Sequence, residues 1–163
     1  MKKSLLSTQV KKWFDKSAES EMYASHLYQH IANCMQKEGF FGVQKYFLVE
    51  SNEEKEHYQK LVDYVNDMGD LLDVPQVPKI KESVFTIGDA LELAYETELK
   101  LMNQYQEFYE EAEDSGDCIT ASFLIEFMNI QRKSVGVYGD FISRYEKNKA
   151  DVFEFDEYMG SKA

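Results

Sequence analysis

The sequence predicts an all-α fold: a four-helix bundle with one long crossover between the second and third helices, closed by a short fifth helix at the C-terminal end. Apolar residues recur at helical spacing through four long segments, each bounded by capping or stop residues. Only two prolines and eight glycines fall among the 163 residues, which permits long uninterrupted helices. Both prolines lie in one aperiodic stretch in the middle of the chain, between Asp70 and Phe85.

The first helix is predicted over about residues 7–36. Val10, Phe14, Met22, Leu27 and Ile31 mark its buried stripe, Ser7 or Thr8 can cap its start and Gly39 stops it. The second runs over about 41–68 on Val43, Phe47, Leu48, Tyr58, Leu61 and Val65, and ends at Gly69. The short link around Gly39 makes these two an antiparallel hairpin. The aperiodic stretch that follows should be extended: about 16 extended residues reach roughly 50 Å, enough to cross a helix of about 42 Å. The third helix therefore runs parallel to the second.

Thr86-Ile-Gly-Asp89 is a capping box opening the third helix, over about 87–113. Asp114-Ser-Gly-Asp117 then turns the chain, and Asp117 caps a fourth helix over about 117–147. Gly136 and Gly139 inside it are expected to mark a kink or a close helix contact. A last amphipathic segment over about 151–160 carries Phe153, Phe155 and Tyr158, expected at a subunit contact. Residues 1–163 make one domain of ordinary size.

Eighteen Lys and Arg against thirty Asp and Glu give a net charge of −12, which disfavours nucleic acid and anionic membrane as partners and favours cations. No apolar leader run precedes Lys11 and Lys12 and no later run has membrane-spanning length, so the expected location is the cytoplasm. Cys34 and Cys118 are too few for a disulfide framework and are expected as reduced, partly buried thiols.

The densest chemistry lies in Glu50-Ser-Asn-Glu53-Glu54-Lys-Glu56-His57 on the second helix. Glu54 and His57 are three apart, so a carboxylate oxygen and an imidazole nitrogen can converge on one cation; the plain alternative is a solvated acidic face. An internal repeat weighs against that alternative. At an offset of 77 residues, Glu21 falls on Glu98, Tyr28 on Tyr105, Glu54 on Gln131 and His57 on Ser134. Four helices can thus point ligands to one level of the core. Glu21, Glu54 and His57 form a hard oxygen and nitrogen site; Glu98 with a shared Glu54 forms a second site poorer in ligands. Buried carboxylates without a cation would repel one another and be costly to desolvate. His26 and His30, four apart on the first helix, are expected as a hydrogen-bonding surface pair, and Trp13 as packing.

Helix one with Glu21 and Tyr28, the Glu53-Glu54-x-x-His57 run, Glu98, Gln131, the long crossover and the short last helix together resemble a ferritin over essentially the whole chain. The resemblance implies a hollow homo-oligomeric shell of twenty-four subunits that oxidises Fe(II) with O2 or peroxide at a di-iron centre and stores ferric oxide. Carried onto matching positions, Glu21, Glu54 and His57 hold the first iron, while Glu98 and bridging Glu54 hold the second. Gln131 stands beside the second iron, and Tyr28 hydrogen-bonds near the centre and can lend an electron.

Glu53 matches a ligand of a third iron site in many bacterial ferritins, but the partner positions here are Ile130, Lys133 and Ser134, and a lysine opposes a cation. The expected centre is closer to the animal heavy-chain type, with Glu53, Glu56 and Glu50 as stations for departing iron. No haem is expected, because Lys55 stands where bacterioferritins carry their haem-ligating methionine. Two alternatives remain open: a di-iron oxidase or peroxide scavenger that stores nothing, and a non-catalytic helical interaction protein.

Overall fold

The structure, a computed structural model, describes residues 3–163; Met1 and Lys2, the start of the segment read for a leader, lie outside the described residues. The described residues form five helices and no strand: α1 (Thr8–Glu38), α2 (Phe41–Asp67), α3 (Ile87–Asp114), α4 (Cys118–Lys147) and α5 (Val152–Gly160). Every helix boundary falls within two residues of the sequence expectation. The reason is local, since most ends carry their own cap. The Ser7 hydroxyl accepts from the Val10 amide, and Gly39 closes α1 in the left-handed region at φ 87°. Thr86 and Asp89 form the reciprocal box opening α3, and Asp117 accepts from the Thr120 amide at the start of α4.

Polar cross-links between the helices fix their directions. Ser25 and Ser51 each donate to the other's carbonyl, at 2.7 and 2.8 Å, locking α1 antiparallel to α2 through two small buried residues. Tyr28 bonds Glu98 while Tyr105 bonds Glu21, so α3 is antiparallel to α1 and therefore parallel to α2. Residues 68–86 make the crossover as extended chain laid along α1: the Asp73 amide donates to Asp15 at 3.1 Å, and Tyr23 donates to Glu82 at 2.9 Å. Leu72 and Val84 are buried and seal it down.

The core is layered along the bundle axis. At one end Phe14, Tyr64, Phe108 and Phe123 stack and edge against one another, with Trp13 stacked on Phe108 at 5.7 Å. At the other end Tyr46, Phe47, Tyr138, Phe141 and Phe155 do the same. Between these apolar plugs lies a layer that keeps polar side chains inside.

Two expectations are corrected at the C-terminal end. Of the three aromatics on α5, only Phe153 stays exposed; Phe155 is fully buried in the subunit's own core and Tyr158 is half-buried under Arg144. α5 is docked because it completes α2, which lacks a side-chain cap of its own. The Asp156 carboxylate accepts from the amides of Gly42 at 3.1 Å and Val43 at 2.8 Å, placing an anion at a helix N-terminus. The helices touch backbone to backbone there: a Cβ on Gly42 would sit 2.0 Å from the Asp156 carbonyl oxygen, and one on Gly160 would sit 2.7 Å from the Gly42 Cα. By contrast α4 runs unbroken through Gly136 and Gly139; a Cβ would meet nothing within 4 Å at the first and only Tyr95 at 3.9 Å at the second. The close helix contact expected of those two glycines is made by Gly42 and Gly160 instead.

Candidate metal centre

The polar layer takes side chains from all four long helices. Glu21 on α1, Glu54 on α2, and Glu98 and Gln131 on α3 and α4 are buried, the least so being Glu54 at 3% exposure. Glu54 and His57 sit one turn apart on α2, and the imidazole Nδ1 lies 3.0 Å from Glu54 Oε2 and 3.6 Å from Glu21 Oε2. One donor atom each from Glu21, Glu54 and His57 falls within 4.8 Å of the others, which makes these three a group able to hold a metal ion. Phe127, one turn before Gln131, packs its ring against both His57 and Tyr105.

The two halves of the repeat exchange hydrogen bonds. Tyr28 donates to Glu98 Oε1 and Tyr105 donates to Glu21 Oε1, and all four side chains are fully buried. Each phenol pins one carboxylate oxygen and leaves the other free. Among the described residues, the buried side-chain nitrogen and oxygen atoms without a hydrogen-bond partner are Glu21 Oε2, Glu98 Oε2 and both polar atoms of Gln131. Burying such atoms unpaired costs roughly 1–3 kcal/mol each. Their concentration at one level of an otherwise apolar core fits a site whose missing partner is a hard cation.

Burial and neighbouring charges shift the proton affinities of the layer. Burial drives the Glu54 carboxyl well above its ordinary range, reinforced by the charge of Glu21. Burial likewise pushes Glu98 up to about 8 against the lowering effect of the Tyr28 hydrogen bond. Burial would push His57 down, but the carboxylates of Glu21 and Glu54 beside its ring raise it to about 10. Burial also opposes ionisation of Glu21, yet the neighbouring His57 and Glu54 side chains outweigh it and hold that carboxyl below its ordinary value. Raised proton affinity at Glu54, Glu98 and His57 beside a Glu21 held low keeps the charge of the layer small, the state a low-dielectric interior tolerates best.

The expected site residues fall into two groups. Glu21, Tyr28, Glu54, Glu98 and Gln131 are buried in the layer and half-buried His57 faces it, with Glu54 and His57 also reaching an open groove of about 540 Å³ between α2 and α4. Glu53 is exposed and lines this groove, together with Glu50, Ile130, Lys133 and Ser134. His26 is exposed, while His30 is bonded to the Glu82 carbonyl at 2.8 Å. Cys34 is half-buried as expected, but Cys118 is exposed because it opens α4 at the turn. Two features were missed. Tyr105 pairs with Glu21, a role its position 77 residues after Tyr28 already signalled. Glu50 accepts a hydrogen bond from the fully buried Tyr138 at 2.8 Å, a pairing no periodicity announces.

Fold and polar layer together define a four-helix carboxylate bundle with one long crossover. The chain belongs to the family described as Ferritin-like domain, which it matches over residues 8–147. A bacterial non-heme ferritin of Staphylococcus epidermidis is 23% identical over 164 residues, covering 98% of each chain. A probable bacterial non-heme ferritin-like protein of Haemophilus influenzae is also 23% identical, covering 96% of this chain and 97% of its own. Among solved structures, an open-pore ferritin from the hyperthermophilic archaeon Archaeoglobus fulgidus superposes at TM-score 0.92 with 21% identity, over 95% of this chain and 96% of that one. A closed form engineered from the A. fulgidus protein by mutagenesis superposes equally well. Likeness at that identity speaks for the fold. Among the described residues no helix is long and apolar enough to cross a membrane.

Proposed function

We propose that this chain is an iron-storage ferroxidase of the cytoplasm: it takes two Fe(II) ions into the buried layer, passes their electrons to O2 or peroxide, and keeps the ferric product as mineral inside a twenty-four-subunit shell. Iron is here substrate and cargo, and no haem takes part. One observation carries the proposal. Three carboxylates and a glutamine from four helices are buried, Glu21, Glu98 and Gln131 with unpartnered polar atoms, beside an imidazole whose Nδ1 faces Glu21 and Glu54.

Glu21, Glu54 and His57 hold the first ion; Glu98 and a shared Glu54 hold the second, with Gln131 beside it. Tyr105 and Tyr28 fix the orientation of Glu21 and Glu98, and Tyr28 is the near electron donor to oxygen. Because burial and their neighbours raise the proton affinity of Glu54, Glu98 and His57, iron binding displaces protons. The apolar plugs close the layer at its two ends along the bundle axis, while Glu54 and His57 open it to the groove between α2 and α4. Glu53 and Glu50 in the groove between α2 and α4 are the first carboxylates an outgoing ion meets, and Lys133 opposes a tightly held ion there.

Stopped-flow oxidation of Fe(II) by the wild type and Glu54→Ala, with light scattering on both, tests this. The expected result is loss of the fast phase in the variant with assembly intact; an unchanged rate sinks the shared-ligand role. A wild type that oxidises Fe(II) but remains small in solution would instead be an oxidase or peroxide scavenger that stores nothing.

A further inference from the structure

Removing an electron from a tyrosine turns its phenol into a strong acid, so a redox-active tyrosine needs a base already in contact with its oxygen. Three fully buried tyrosines have one: Tyr28 with Glu98, Tyr105 with Glu21, and Tyr138 with Glu50. They differ in what lies next to the ring. Tyr105 packs on Phe127, a ring far harder to oxidise. The Tyr28 ring lies 6.4 Å from that of Tyr138, centroid to centroid, and Tyr138 in turn lies 6.3 Å from Tyr46. Tyr138, Tyr46 and Glu50 all line the open groove between α2 and α4. A chain of phenols thus leads from the buried layer to solvent, and its middle member holds a carboxylate that the core does not otherwise need.

We propose that Tyr138, with Glu50 as its proton acceptor, is a second redox-active tyrosine that takes over the oxidising equivalent from Tyr28 and presents it to the groove; this rests on the Fe(II)-oxidising function proposed above. With the ions bound and Glu98 ionised by their charge, Tyr28 gives one electron to oxygen at the centre and its proton to Glu98. Tyr138 then gives one electron to the Tyr28 phenoxyl, which recovers its proton from Glu98, while the Tyr138 proton crosses the 2.8 Å bond to Glu50. One electron has moved inward and the hole outward to Tyr138, whose proton now sits on Glu50. A further Fe(II) ion, or another one-electron reductant in the groove, restores Tyr138, and Glu50 returns the proton. Glu50 is suited to this, since burial raises its proton affinity above that of an exposed carboxylate.

Freeze-quench electron paramagnetic resonance on Fe(II)-loaded assembled protein mixed with oxygenated buffer, with and without ascorbate added after mixing, tests the relay. The wild type is expected to show a tyrosyl radical whose lifetime shortens with ascorbate. Tyr138→Phe should keep a tyrosyl signal, now that of buried Tyr28, with changed hyperfine splitting and loss of the ascorbate dependence. Glu50→Gln, which retains the ring and its packing, should reproduce that loss, and Tyr28→Phe should remove the signal. Radicals in Tyr138→Phe and Glu50→Gln with the wild-type line shape and ascorbate response would overturn the relay. So would a wild type that oxidises Fe(II) with no tyrosyl signal, a result that leaves the ferroxidase function standing. A wild type that does not oxidise Fe(II) would overturn both.

Discussion

Filling the buried layer with a divalent cation must expel protons, and their number follows from the charges of the empty site. At pH 7 His57, raised to about 10, is cationic, and burial with the charge of Glu21 raises the proton affinity of Glu54. Glu98, with its value near 8, is roughly nine-tenths protonated. Ligation requires three carboxylates and a neutral imidazole, so His57 and Glu98 alone give up about two protons per filled subunit and apparent cation affinity rises about a hundredfold or more per pH unit, with Glu54 adding to both. At pH 9 Glu98 is already largely ionised in the cation-free protein and the release falls by nearly one proton. Anaerobic titration of redox-inert Zn(II) into weakly buffered cation-free protein, followed in a pH-stat, measures this directly. Release of one proton or fewer at pH 7, or the same release at both pH values, would refute the reasoning, because exposed and already ionised carboxylates bind cations without giving up protons.

In cation-free protein, Glu98→Gln should gain stability relative to the wild type as pH rises from about 4.5 to about 8. The native pKa of Glu98 is raised, so its contribution is present below 4.5 and lost as pH climbs through 8; urea midpoints across that window check the sign. Tyr105→Phe should lower apparent stability by about 2 kcal/mol, the worth of a buried hydrogen bond to a charged group, and a urea series showing no loss would mean that Glu21 does not depend on it. Gly42→Ala should undock α5, because the added Cβ would lie 2.0 Å from a carbonyl oxygen, and Asp156→Ala should cost about 1 kcal/mol as a lost cap. Hydrogen exchange at the Gly42 and Val43 amides reports both, and unchanged protection would contradict the latch.

The helices were legible because their ends are encoded in adjacent residues: Ser7, Thr86 with Asp89, Asp117 and the left-handed Gly39 are caps that need no tertiary context. The crossover was legible for a related reason, since two prolines and a missing period leave extended chain as the only option over that length. The repeat placed Glu21, Glu54, Glu98 and Gln131 at one level before any coordinates. It could not show which tyrosine bonds which carboxylate, because the exchange between Tyr28–Glu98 and Tyr105–Glu21 belongs to the packing of α1 on α3. Glu53 and Glu54 illustrate the same limit on a finer scale. Adjacent residues point about 100° apart on a helix, so Glu54 is buried at the inner wall of the groove while Glu53 stands exposed at its rim. Asp156 capping α2 from across the chain, Phe155 turning inward, and Gly42 meeting Gly160 arise only when α5 docks, and sequence periodicity carries no signal of that encounter.

The account stands on cations being held inside the subunit, between four helices. Anomalous difference maps from crystals soaked anaerobically in Fe(II) test that most directly. The expected result is two peaks in the buried layer, one bounded by Glu21, Glu54 and His57 and the other by Glu54 and Glu98. Iron found only along the groove at Glu50 and Glu53 or on the outer surface, with the layer empty, would contradict it.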